Sequence, residues 1–94
     1  MIRLNAFFQL KEDVKPKQVF EFSDELIEKS LKDEGNISYD LFKSSTRKGV
    51  MMFCETWKDQ ATLDAHSQSA HFTTLVPKIE ALTVKGLKVE QFEF

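Results

Sequence analysis

His66 and His71 are the two side chains whose ordinary pKa lies near neutrality, so they are the natural candidates for moving a proton. On one continuous helix their spacing would turn them about 140° apart and deny them a shared ion. A break at Ser67-Gln68-Ser69 would relax that constraint. With a single Cys and no Cys-x-x-Cys or His-x-x-x-His spacing, no zinc site is expected. His66 could orient a substrate oxygen or take a proton, or it could cap a short helix; spacing leaves both open. Glu55 would become a general base if desolvated. Its preferred reading is an ion pair with Arg3 across a dimer. Cys54, mid-strand beside Met52, reads as inert packing, because nothing nearby would stabilise a thiolate. No His–Asp pair that would activate a nucleophile is evident, and no Gly-rich turn that would cradle phosphate. Tyr39 stands among aliphatic residues and needs a partner for its hydroxyl, which a pocket commonly supplies.

The elements that position these residues follow from periodicity. Residues 2–10 alternate as a strand, with Ile2, Leu4, Ala6, Phe8 and Leu10 on one side. Asp13 and Pro16 announce a helix whose apolar stripe includes Val19, Phe22, Leu26 and Ile27, with Gly35 as its stop. Residues 37–43 and 50–57 form a hairpin around Ser44-Ser45-Thr46-Arg47-Lys48-Gly49. A short helical turn follows Asp59. A second long helix begins near Ser69 and carries Phe72, Leu75, Val76, Ile79 and Leu82, with Pro77 expected to kink it or free the Thr73 carbonyl. Gly86 precedes a last strand, residues 87–94. The order β-α-β-β-α-β predicts an α+β, ferredoxin-like fold: an antiparallel sheet with its helices on one face.

Sheet parity then assigns the two faces. A hairpin register with Phe42 opposite Met51 sends Ile2, Leu4, Ala6, Phe8, Ile37, Tyr39, Leu41, Val50, Met52, Cys54, Leu87 and Val89 toward the helices. The opposite face receives Phe7, Phe42, Met51, Phe53, Trp57, Phe92 and Phe94, with Arg3, Asn5, Gln9, Asp40 and Glu55 among them. So many large apolar groups exceed what a soluble monomer usually exposes, which predicts a sheet-to-sheet homodimer through Phe7, Phe42, Phe53 and Phe92.

Composition sets the outer bounds. Ninety-four residues amount to one domain, too small to close over a large cofactor. Thirteen basic against fifteen acidic residues leave a net charge of −2, which argues against a nucleic-acid footprint. The longest apolar run, Val50 to Cys54, is too short to span a bilayer, and the N-terminus turns polar too soon for a secretory signal. The single Cys suits a reducing compartment, so the expected location is the cytoplasm.

Gly35-Asn36-Ile37-Ser38-Tyr39-Asp40-Leu41, then Glu55-Thr56-Trp57-Lys58-Asp59, then His66 and Ser69-Ala70-His71-Phe72, resemble the antibiotic biosynthesis monooxygenase domain family across essentially the whole chain. The resemblance implies a dimeric α+β barrel with a small-molecule cavity between sheet and helices in each protomer. It also implies cofactor-free oxidation of quinols or phenols by molecular oxygen, haem degradation, or processing of the phosphorylated autoinducer-2 signal. Trp57, His66 and His71 match the family's residues. An Asn and a Tyr of the cofactor-free aromatic oxygenases fall here on Phe53 and Leu63. The haem branch's His and Asn fall on Val76 and Phe8, which speaks against haem.

The expected function is therefore a monooxygenase acting on a small quinol or phenol without metal, haem or flavin. His66, His71 and Trp57 are its candidate catalytic residues, and Tyr39, Phe8, Met52, Cys54 and Phe72 its candidate substrate contacts. The alternatives are an isomerase of a small phosphorylated metabolite, which needs cations such as Lys58, Lys78 or Arg47 at the cavity mouth, and a non-catalytic binding or stress-associated barrel. Parity leaves one conflict, because it turns Trp57 away from the cavity that the resemblance implies.

Overall fold

The computed structural model describes all 94 residues. Strand β1 (Ile2–Gln9) is followed by helix α1 (Pro16–Ser30), strands β2 (Asn36–Lys43) and β3 (Val50–Trp57), helices α2 (Gln60–Ser67) and α3 (Ala70–Glu80), and strand β4 (Lys88–Glu93). The four strands form one antiparallel sheet in the order β2-β3-β1-β4, the ferredoxin-like arrangement expected from the element order. Pro16 occupies the first turn of α1, where its missing N–H has no partner to lose. The helix ends at Ser30, before Gly35, and a turn carries Asp33 out of it. The helical turn expected after Asp59 is a full two-turn helix, with the Asp59 carboxylate accepting from the Thr62 N–H. Ser69 caps α3 the same way through the Phe72 N–H, and α3 runs on through Pro77.

Register is where the sequence reading and the fold part. Phe42 pairs with Met52, not Met51. That one-residue difference exchanges the two faces of the whole of β3. Ile2, Leu4, Ala6 and Phe8 stand opposite Trp57, Glu55, Phe53 and Met51, and these are the β3 side chains that face the helices. Met51, Phe53 and Trp57 are buried core. Val50, Met52 and Cys54, expected inside, are only half-buried and lie on the other face. Phe53, assigned beforehand to the dimer surface, packs instead on Phe8 and Tyr39 at ring-centroid distances of 5.9 Å.

A bulge in β2 explains a further difference. Asn36 pairs with Trp57 and Ser38 with Thr56, so Ile37 is squeezed out of the ladder. It is 55% exposed, while Tyr39 keeps its predicted inward position.

Gly35 fixes the approach of the α1–β2 turn to α2. Its φ of +81° is open to glycine alone without strain, and a β-carbon there would collide with the Thr62 side chain. Its carbonyl accepts from the Lys58 N–H at 2.8 Å, which ties the turn to the end of β3. Asp33 is thereby held over α2.

Candidate active site

Trp57, at the end of β3, is fully buried and donates its indole N–H to Glu55 Oε1 at 2.9 Å. Its ring lies 4.6 Å from the His66 imidazole, centroid to centroid. The conflict over Trp57 thus disappears with the corrected register: Trp57 faces the helices and backs the His66 ring.

Glu55 does not reach Arg3 across a sheet face. The Arg3 guanidinium lies on the opposite face, bonded to the Thr56 hydroxyl at 2.9 Å and to Cys54 Sγ at 3.7 Å. Glu55 is 5% exposed, and burial pushes its carboxyl up to about 7 against the hydrogen bonds from Trp57 and Tyr39 that favour its anion. Tyr39, its cross-strand partner, is itself held well above the ordinary phenol range, first by burial and then by the nearby Glu55 charge.

The two histidines meet because the helix breaks. α2 ends at Ser67 and α3 starts at Ala70, so the divergence expected on a continuous helix does not arise. His66 Nδ1 and His71 Nε2 both lie 2.8 Å from one oxygen of Asp33, Oδ2. A His–Asp pair, invisible as a spacing, is built by residues 33 positions apart. His66 is 2% exposed, and its other ring nitrogen, Nε2, is buried without a partner. Burial holds its pKa below the ordinary histidine value, despite the carboxylate of Asp33, which favours the cation. The neutral ring with its proton on Nδ1 therefore leaves a lone pair on Nε2. His66 makes no helix cap through its ring.

His66 borders a cavity of about 250 Å³ between the sheet and the helices. Tyr39, Glu55, His66 and Phe72 line it, with Leu4, Phe53, Val76 and Val89 among its apolar walls. An apolar cavity of about 150 Å³ already holds a benzene ring, so this one takes one or two fused rings. Of the expected substrate contacts, Tyr39 and Phe72 line it. Phe8 is buried core beside Phe53, under a separate shallow groove. Met52 and Cys54 are on the far face of the sheet and cannot contribute, because the register turns them outward. His71 stands behind His66 as a partner of Asp33, not on the cavity wall. Asp33 is the residue that sequence reasoning missed, and Glu55, named as a base only if desolvated, was assigned first to an ion pair with Arg3. For Glu55 the signal was present: it shares parity with Trp57, and a misphased strand hid its direction.

The Glu55 shift has a direct stability consequence. Its carboxyl is raised in the fold, so its contribution is complete below about pH 4.5 and is lost as pH climbs through about 7. His66 runs the other way, contributing above its unfolded pKa and losing this as pH falls. Glu55→Gln keeps an acceptor for Trp57 and removes only the first trend. Between pH 4.5 and 8, denaturant melts of wild type and Glu55→Gln should diverge by roughly 2–4 kcal/mol in favour of the variant at the alkaline end. Parallel pH curves would refute the assignment.

A ferredoxin-like sheet with its helices packed over a small apolar cavity, and a partly buried His–Asp pair beside it, define an α+β domain. The comparisons say which. Residues 1–78 match the family model described as antibiotic biosynthesis monooxygenase, and the chain belongs to that family. It is 35% identical over 96 residues to the protein named "Putative monooxygenase YcnE" of Bacillus subtilis, covering 99% of this chain and 97% of the relative. A crystal structure of a Bacteroides thetaiotaomicron protein of unknown function, described as a possible oxidoreductase, superposes with a TM-score of 0.89 at 45% identity, covering 99% of this chain and 96% of that one. A crystal structure of an antibiotic biosynthesis monooxygenase gives 0.86 at 32% identity, covering 100% and 98%. These likenesses support a general monooxygenase-like role. No helix is long and apolar enough to cross a membrane.

Proposed function

We propose that the protein is a cofactor-independent monooxygenase for a small one- or two-ring quinol. The observation that carries this reading is that His66, on the wall of an apolar cavity, has a buried Nε2 without a partner while Asp33 holds its Nδ1. His66 takes a proton from a phenolic hydroxyl, and Asp33 keeps the ring in the accepting tautomer and stabilises the imidazolium. The quinol anion, stripped of water by the apolar walls, passes one electron to oxygen. The radical pair joins through a carbon–oxygen bond, and the imidazolium returns its proton to the peroxide. Loss of water breaks the oxygen–oxygen bond and leaves a hydroxyquinone. One quinol and one oxygen molecule thus give one hydroxyquinone and one water.

The cavity lining contains no Lys or Arg, which disfavours the alternative of a phosphorylated sugar-like substrate. Lys58 borders a different cleft, and the Lys78 ammonium sits 5.7 Å over the Phe22 ring. The cavity itself suits a non-catalytic binding barrel equally well, and the buried, unpartnered Nε2 of His66 is what favours chemistry over binding alone.

Oxygen uptake against a panel of one- and two-ring hydroquinones, without added cofactor and with ¹⁸O₂ to trace the product, tests the reading. Labelled hydroxyquinone formed by wild type supports it. No uptake above the uncatalysed rate with every member of the panel would overturn it.

The same reading includes a homodimer through the uncovered sheet face. Phe7, Phe42, Met52 and Phe92 lie there, with Phe42 and Phe92 more than half exposed. Wild type should sediment as a dimer at micromolar concentration, and Phe42→Asp with Phe92→Asp as a monomer. A wild-type monomer would remove the dimer.

A further inference from the structure

We propose that Asp33, His66 and His71 bind one divalent transition-metal ion in the cleft outside the cavity, and that the ion switches His66 off as a base. The site stands on its own geometry; the switching rests on the function proposed above. Two imidazole nitrogens from different helices converge on a single carboxylate oxygen at 2.8 Å each. The three donor atoms lie within 4.8 Å of one another. Metal–ligand bonds of about 2.1 Å place neighbouring donors roughly 3.0 Å apart at a right angle and 3.4 Å apart in a tetrahedron. To admit an ion the two nitrogen–oxygen pairs need to open by well under an ångström, and the two nitrogens already lie within 4.8 Å of each other.

Two imidazoles and one carboxylate suit zinc, cobalt, nickel or iron in preference to calcium or magnesium, which favour oxygen donors. Three protein ligands leave a coordination position for water. Space for it exists: a cleft of about 400 Å³ opens beside Asp33 and His66, lined also by Glu34, Lys58, Asp59 and Thr62. Three carboxylates against one ammonium favour the approach of a cation. Because hydrogen bonds already join Asp33 Oδ2 to the ring nitrogens that face it, the fold does not need the metal.

The consequence for His66 is a change of tautomer. A metal on Nδ1 obliges the neutral ring to carry its proton on Nε2, so the cavity meets a donor where it had met an acceptor. The same ring cannot then accept a phenolic proton.

The test uses tag-free, chelator-stripped protein titrated with Co²⁺, read by visible absorption, and with Zn²⁺, read by calorimetry. One ion per chain is expected in wild type. Groups that merely support a metal ligand already account for 10–100-fold in affinity, so His71→Ala and Asp33→Asn should each weaken binding about 100-fold or more. His71 is only partly buried, so its variant keeps the measurement interpretable if Asp33→Asn fails to fold. Absent binding, or binding equal in wild type and His71→Ala, overturns the site. Binding without inhibition of quinol-dependent oxygen uptake overturns the switch and spares the site. One bound ion in a protein that oxidises no quinol leaves the site established and removes the oxygenase reading instead.

Discussion

His66→Gln should lower quinol-dependent oxygen uptake by about 10²–10⁴-fold, the usual contribution of a positioned proton acceptor, while the protein remains folded. The substitution keeps a polar side chain of similar length on α2. It removes the buried ring nitrogen that has no partner, belonging to a residue on the cavity wall. Asp33→Asn probes the same pair from the other side. An amide can offer either an oxygen or an NH₂ group to Nδ1, so the ring is no longer committed to the tautomer that leaves Nε2 free. Its rate should fall less than that of His66→Gln, with a smaller effect on KM than on kcat. Unchanged uptake in His66→Gln would show that the proton leaves by another route, and Glu55 would be the group to examine next.

The second large effect belongs to Trp57. Trp57→Ala should destabilise the fold by about 3–5 kcal/mol, the range for emptying a fully buried aromatic site. For a domain of this length that corresponds to a fall in Tm of roughly 15–30 °C. Two further losses accompany the cavity: Glu55 Oε1 loses its donor, and His66 loses the ring that backs it. Trp57→Phe separates these contributions. It keeps most of the packing but leaves a buried oxygen unpaired, so it should destabilise by about 1–3 kcal/mol. It should also raise the Glu55 pKa further, since the indole bond holds that value down. A Trp57→Ala protein that melts within a few degrees of wild type would place the indole outside the core.

The sequence made the element order legible because helix stripes and turn residues act locally. Val19, Leu26, Leu75 and Ile79 fall on the predicted faces, and Ser69 and Asp59 sit at the predicted helix starts. Strand β3 was not legible in phase. Val50, Met51, Met52, Phe53 and Cys54 are apolar on both parities, so the pattern contains no information about which set is inside. Only the pairing of Phe42 with Met52 decides it, and that depends on how the hairpin loop closes. Ile37 misled for a different reason, because a bulge breaks the alternation at that residue.

The site was half legible. His66, Trp57, Tyr39 and Phe72 could be named from residue type and family resemblance, whereas Asp33 could not. It lies in a turn between an acidic and a lysine neighbour, with no local pattern to distinguish it from solvated charge. Its role comes from Gly35 and the Thr62 side chain, which bring the turn against α2.

Strand β4 gives the cavity an unusual wall. Every residue from Lys88 to Glu93 is exposed, and its only sheet neighbour is β1. Yet Val89, from this strand, and Leu87, just before it, help close the space in front of His66. Opening β4 costs one ladder of hydrogen bonds and little buried apolar surface, far less than moving a helix. Fraying of this sheet edge would therefore widen the way into the cavity. A mutation that tightens β4 would change how fast molecules come and go while leaving every group around His66 untouched.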